Sequence, residues 1–197
     1  GVTVVNINGI NFKYFYPLFC DTDWKEERLP IWCSGITDRD PLPDVEKDDE
    51  GKIVKKEEKY PVKGEKIVGG NEAIDLADDI NSTQRARLYV APLKTFEYDL
   101  AMSGNISIMA EVLEEKWPKD GGEKGVKNQC KQIKNKNNVY IDKEEMREDA
   151  KFIYKHIDCD EMGKGFFSQA LLEKIEEKNI LVVPEYIKKA IIWACGG

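Results

Sequence analysis

The hexapeptide ITDRDP, residues 36–41, sets two carboxylates, Asp38 and Asp40, one residue apart behind the apolar run LPIWCSG. Side chains at i and i+2 of an extended segment share a face, so this pair can offer two hard oxygen ligands to one divalent cation. Its place suits a site, because open α/β sheets gather their sites beyond the carboxyl ends of strands. Aspartate also collects at strand ends for its turn chemistry, and DRDP serves that purpose equally well. A second pair stands beyond the next strand candidate, in LYVAPLKTFEYDLAMSGN. Here Thr95 and Glu97 add a hydroxyl and a carboxylate within reach of the same ions. Thr95 also suits a helix cap, and Glu97 and Asp99 suit the positive end of a helix. A third element is Lys164 in EMGKGFFSQALLEKI. An ammonium anchored before a helix can neutralise charge that develops on a phosphate. A solvated surface lysine is the plain alternative.

Other chemistries are poorly served. The five cysteines, at 20, 33, 130, 159 and 195, never form a C-x-x-C pair, so neither a disulfide framework nor a zinc knuckle is suggested. His156 is the only histidine, and Cys159 three residues later leaves a zinc site two ligands short. A Ser-His-Asp or Cys-His apparatus lacks an elbow motif. No G-x-x-x-x-G-K-[ST] occurs, so no loop of the ATPase type cradles a phosphate.

The elements that must hold these residues read as an α/β core followed by helices. VTVVNI is rich in β-branched residues and predicts a strand closed by a turn at NG. NFKYFYPLF has the one-face spacing of a short helix, with Pro17 early in a turn. Strands are expected at Pro30 to Ile36 and in RARLYVAP, with a helix in NEAIDLADDINSTQ between them. Residues 42–70 are dense in Lys, Glu, Asp, Gly and Pro and read as a solvated excursion with at most a weak hairpin around KIVKKEEKYPVKGEKIV. Further helices are expected in TFEYDLAMSGN, ISIMAEVLEEKW, DKEEMREDAKFIYKHI, GFFSQALLEKIEEK and VPEYIKKAIIWAC. The fourth of these should turn Phe166, Phe167, Ala170, Leu171 and Ile175 toward a core. KDGGEKGVKNQCKQIKNKNN reads as a mobile basic stretch. Alternation of strand and helix implies a parallel sheet.

At 197 residues the chain is long enough for one domain or a domain with a helical appendage. The charged fraction is 34% and the hydrophobic fraction 41%. No apolar run approaches the roughly eighteen residues that cross a bilayer, and GVTVVNINGINFKYFYPLF lacks a basic leader, so a soluble cytoplasmic protein without a membrane partner is expected. A net charge of −7 argues against indiscriminate binding to nucleic acid, but carboxylates that take up divalent ions reverse their local sign.

Together, ITDRDP, KTFEYDLAMSGN, KGFFSQAL and the closing VPEYIKKAI, in this order and with a polar insertion after the first, resemble the C-terminal Toprim nuclease domain of the OLD (overcoming lysogenization defect) family, whose members include anti-phage endonucleases. The likeness spans nearly the whole chain. It implies a Toprim-like parallel sheet flanked by helices over residues 1–118, with 42–70 as an insertion, and a helical C-terminal region over 119–197 packed on that core. It also implies cleavage of DNA by a two-metal mechanism with Mg or Mn. Asp38 and Asp40 match the D-x-D ligands, Thr95 and Glu97 the hydroxyl-x-carboxylate pair, and Lys164 the lysine that stabilises the transition state. Two cations roughly 4 Å apart activate the attacking water and hold the leaving oxygen, which is why clustered acids are required. The family carries another glutamate upstream of the stretch that aligns with GVTVVNINGI, and Glu26 and Glu27 in DWKEERLP do not replace it. Family members also carry an N-terminal ABC-type ATPase. The expectation is therefore a nuclease piece that cleaves DNA only within a longer polypeptide, with an exposed sheet edge or apolar face that associates with the rest of that polypeptide or with a second copy.

Two other readings compete. A haloacid-dehalogenase-like phosphatase also has D-x-D at a strand end, but Pro41 and Leu42 stand where its pattern has a Gly-Thr pair. A non-catalytic assembly or DNA-holding module would use the acids structurally, with the basic segment Lys124 to Lys136 either against a phosphate backbone or simply a solvated loop, the plainer reading.

Overall fold

The computed structural model describes residues 2–7, 9, 11–19, 29–70, 72–119 and 125–197. Glu26, Glu27 and Cys20 lie outside them. The chain forms two compact units, Gly1–Phe96 with Pro184–Gly197, and Glu97–Val183. This division differs from a break at 118/119: the helices from 97 onward pack with one another, and the closing helix packs with the strands.

The first unit is built on a parallel pair. Strand β1 (Cys33–Thr37) and strand β4 (Ala86–Val90) run side by side, Cys33 opposite Ala86 and Thr37 opposite Val90. The crossover between them carries an exposed antiparallel hairpin, β2 (Asp44–Lys47) with β3 (Ile53–Glu57), then helices α2 (Glu72–Asp75) and α3 (Ala77–Ser82). Ala73 and Ile80 of the helices close over Ala86 and Leu88 of β4, joined by Phe12, Tyr16 and Phe19. Phe12 belongs to helix α1 (Phe12–Phe15), which passes into a 3-10 turn (Tyr16–Leu18) with Pro17 in its first turn, where the missing N–H costs nothing. Gly35 explains the close approach of α1: a Cβ there would stand 2.7 Å from the Phe12 ring. Helix α9 (Glu185–Ala194) packs on both strands; Ser34 donates to the Ala190 carbonyl at 2.8 Å, and the Arg87 guanidinium stacks 3.9 Å from the Trp193 ring centre.

One expectation for this unit fails and another holds in part. Residues 2–7 form no strand; Val4 and Val5 are 91% and 71% exposed, and a β-branched run without a ladder partner has nothing to pair with. Among the described residues the parallel sheet has two strands. The excursion 42–70 is solvated along its hairpin as expected and departs from the expectation only in where the hairpin lies and in the burial that follows it. Its hairpin pairs 44–47 with 53–57, and Tyr60, Pro61 and Val62 behind it are buried.

The second unit is helical. Helix α4 (Phe96–Leu100) leads through a π-helical turn (Ala101–Asn105) into α5 (Ile106–Lys116). Around α5 pack α6 (Val126–Asn135), α7 (Lys143–Ile157) and α8 (Lys164–Lys178). Ile106, Met109 and Leu113 of α5 are buried, as are Cys130, Ile133, Ile153, Ile157 and Phe167 on the helices packed around it. Asp142 caps α7 by accepting from the Glu144 N–H. At the kink before α5, Gly104 has φ 104°, and the buried Asn105 amide donates to the Leu100 and Val182 carbonyls and accepts from the Val182 N–H.

The basic stretch read as mobile contains α6. Val126, Cys130 and Ile133 recur on one helix face, and Cys130 and Ile133 are buried. On α8 only Phe167, Ala170 and Leu171 are buried; Phe166 is 55% exposed. Among the described residues no helix is long and apolar enough to cross a membrane.

Candidate functional site

Both loops that carry the acids leave the carboxyl ends of the parallel pair. Beyond β1 the chain runs Asp38, Arg39, Asp40, and beyond β4 it runs 91–95 into α4. Backbone hydrogen bonds sew the loops together: Ala91 N–H donates to the Thr37 carbonyl at 2.8 Å, and Arg39 N–H and Asp40 N–H both donate to the Lys94 carbonyl, at 2.8 and 3.3 Å. Arg39 Nε adds a bond to the Ala91 carbonyl at 3.2 Å.

The Asp38 carboxylate accepts the backbone N–H of Phe96 at 2.8 Å. Phe96 opens α4, so its N–H has no partner within the helix, and an acid at this end also meets the positive pole of the helix. Asp38 thus does for α4 what a cap residue normally does from the preceding position. Thr95, expected as that cap, is itself 4% exposed.

Asp40 departs from the expected geometry. Strand β1 ends at Thr37, and Asp40 has φ 52°, outside the extended region, so the period-two argument that put Asp38 and Asp40 on one face does not hold as far as Asp40. Asp40 is exposed, Asp38 half-buried.

Glu97 and Lys164 are brought together in the second unit. Lys164 Nζ lies 3.8 Å from Glu97 and 3.4 Å from Asp158, over the Tyr154 ring at 5.6 Å. Lys164 is the first residue of α8 rather than a residue before it. A cation at that end opposes the helix dipole, so these two carboxylates and the ring face compensate an unfavourable position. Asp99, read as a helix-end acid, is 1% exposed.

Three further side chains of the first unit meet one another without having stood out in the sequence: the Lys94 ammonium lies 3.6 Å from Glu58 and 4.8 Å over the Tyr60 ring. Lys94 stands in an otherwise apolar strand exit, a signal that was legible, whereas Glu58 and Tyr60 lay in a stretch taken as solvent-facing. His156 is structural, its Nδ1 2.7 Å from the Phe152 carbonyl and its ring edge-on to Trp117.

In type, the donors Asp38, Asp40, Thr95 and Glu97 are all hard oxygens and fit Mg or Mn. In arrangement, among the described residues no group of three or more His, Cys, Asp or Glu side chains is gathered as a metal site. Compared with models of protein families, with curated proteins and with solved structures, the chain gives no match. The fold is mixed α/β with a small parallel sheet.

Proposed function

We propose that this chain is a Toprim-type, divalent-metal-dependent endonuclease domain of OLD-family kind that cuts DNA phosphodiester bonds. The observation that supports it best is the hydrogen bond from Phe96 N–H to the Asp38 carboxylate, because Phe96 is the middle residue of Thr95-Phe96-Glu97. That contact ties the D-x-D loop to the backbone residue after Thr95, which supports a shared function for these segments. Asp38, Asp40, Thr95 and Glu97 would hold the ions, which when bound would supply an activated water and neutralise charge on the leaving oxygen. Lys164 would offset charge on the phosphate oxygens, its ammonium steadied by Glu97, Asp158 and the Tyr154 ring. Cooperation with an ABC-type ATPase, a role against phage and a cytoplasmic setting belong to the same proposal.

Supercoiled plasmid incubated with Mn²⁺ tests it, using the chain alone and within a longer polypeptide that adds the family's upstream glutamate. The expected result is nicking by the longer polypeptide, lost on Asp38→Ala, Glu97→Ala or Lys164→Ala. Nicking that survives all three substitutions, or no nicking by either protein, overturns the assignment, and a DNA-holding module would then be the better reading.

A further inference from the structure

Lys94 is 8% exposed, unusual for a lysine, and burying an ammonium is costly unless it is paired. Its surroundings provide the compensation. The Nζ lies over the Tyr60 ring at 4.8 Å and 3.6 Å from Glu58 Oε2, and Tyr60 Oη donates to the same Glu58 oxygen at 2.5 Å. Tyr60 and Val62 are 7% and 5% exposed, so residues 60–62 of the excursion are packed, while 63–70 beyond them are largely exposed. At its other end the same lysine offers its carbonyl to the N–H groups of Arg39 and Asp40. Asp40 is a non-glycine residue at φ 52°, a conformation that persists where the surroundings impose it.

We propose that Lys94, held by Tyr60 and Glu58, is a positioning residue for the D-x-D loop: residues 58–62 of the excursion fix the Lys94 backbone, and its carbonyl fixes Arg39 and Asp40. The side-chain network thereby sets the divalent-ion affinity of Asp38 and Asp40 without touching an ion. This rests on the metal-site reading above. It gives the polar insertion a task, since its hairpin β2–β3 is exposed while its return segment reaches the loop that carries the acids.

The test uses the full chain and two readouts. Amide hydrogen exchange at Arg39 and Asp40 reports the loop directly, with Leu88 as a core reference, and Mn²⁺ titration followed by water-proton relaxation reports the acids. Lys94→Met should speed exchange at Arg39 and Asp40 at least tenfold, leave Leu88 protected, and weaken Mn²⁺ binding about tenfold. Lys94→Arg, which keeps a cation for Tyr60 and Glu58, should restore most of both. Glu58 has a 61% exposed side chain, so Glu58→Gln leaves the fold intact if Lys94→Met does not, and should give a smaller change, about threefold, in the same direction. Unchanged exchange at Arg39 and Asp40 in Glu58→Gln and in any folded Lys94 variant overturns the inference. So does unchanged Mn²⁺ affinity in these variants while Asp38→Asn loses it, and that result leaves the metal site standing. Equal Mn²⁺ uptake by the unsubstituted chain and Asp38→Asn sinks the metal-site reading itself.

Discussion

The Asp38 carboxylate accepts the backbone N–H of Phe96 at 2.8 Å, tying the loop after one parallel strand to the end of the loop that follows the other. An aspartate used in this way has a structural role that can be separated from ligand chemistry. Asp38→Ala removes the acceptor and should cost about 1 kcal/mol, as loss of a helix cap does, lowering the melting midpoint by about 2–4 °C in a chain of this length. Asp38→Asn keeps an oxygen acceptor and should melt within about 1 °C of the unsubstituted chain while losing ion uptake. Thermal melts of the two variants check this, and identical losses of stability would show that the hydrogen bond contributes nothing.

Lys164 should behave in the opposite way. Its ammonium sits at the positive end of α8, and its pairs with Glu97 and Asp158 involve a side chain that is 40% exposed. Exposed ion pairs contribute about 0–1 kcal/mol, and the dipole opposes them by a similar amount. Lys164→Gln should therefore leave denaturant stability within about 0.5 kcal/mol while abolishing cleavage in the longer polypeptide. A loss of several kcal/mol would make Lys164 a structural residue.

Asn105 is the most exacting polar residue of the helical unit. It is 1% exposed and its amide makes three hydrogen bonds, two to carbonyls and one from an N–H. Asn105→Ala would leave those backbone groups without their partner, at about 1–3 kcal/mol for each group left unsatisfied. Urea unfolding should show a loss above about 2 kcal/mol. Asn105→Asp, which keeps the acceptor for Val182 N–H but not the two donors, should also be destabilised.

Cys130 ties stability to pH. The thiol is fully buried, and burial, reinforced by nearby Glu114, pushes its pKa from an ordinary 9.0 up to about 12. The folded state then keeps a proton that the unfolded chain releases. Stability from this group is present below pH 9 and is lost as pH rises through about 12. The slope cannot exceed about 1.4 kcal/mol per pH unit. Cys130→Ala should flatten the decline in stability between those limits. In the native protein at pH 8, Cys130 should resist alkylation while the exposed Cys195 reacts, read peptide by peptide in a mass spectrometer. Alkylation of both at equal rates would contradict the burial.

What the sequence disclosed follows from where local and tertiary signals agree. The short helix at Phe12, the strand in RARLYVAP and the acidic-to-basic helix α7 carry their own periodicity, caps or dipole complement, and they form as expected. VTVVNI carries strand propensity alone, and without a ladder partner that propensity does not make a strand. Helix α6 was hidden by its lysines, although the three apolar residues on its buried face were sufficient. Phe166 and Phe167 are adjacent and chemically identical, yet one is 55% exposed and the other 1%, a choice that only the packing of α8 makes. Phe167→Ala should accordingly cost about 3–5 kcal/mol and Phe166→Ala well under half of that. At the site, the position of Asp38 beyond its strand was legible, whereas the positive φ of Asp40 and the buried Lys94 depend on contacts between loops distant in sequence.

The most direct measurement is Mn²⁺ binding to this chain, followed by electron paramagnetic resonance of the free ion, for the unsubstituted protein, Asp38→Ala and Glu97→Ala. Saturable uptake that both substitutions weaken at least tenfold is expected, with folding confirmed by circular dichroism. Uptake left unchanged by either substitution would contradict a shared role for the two carboxylates and leave an α/β scaffold without a metal site.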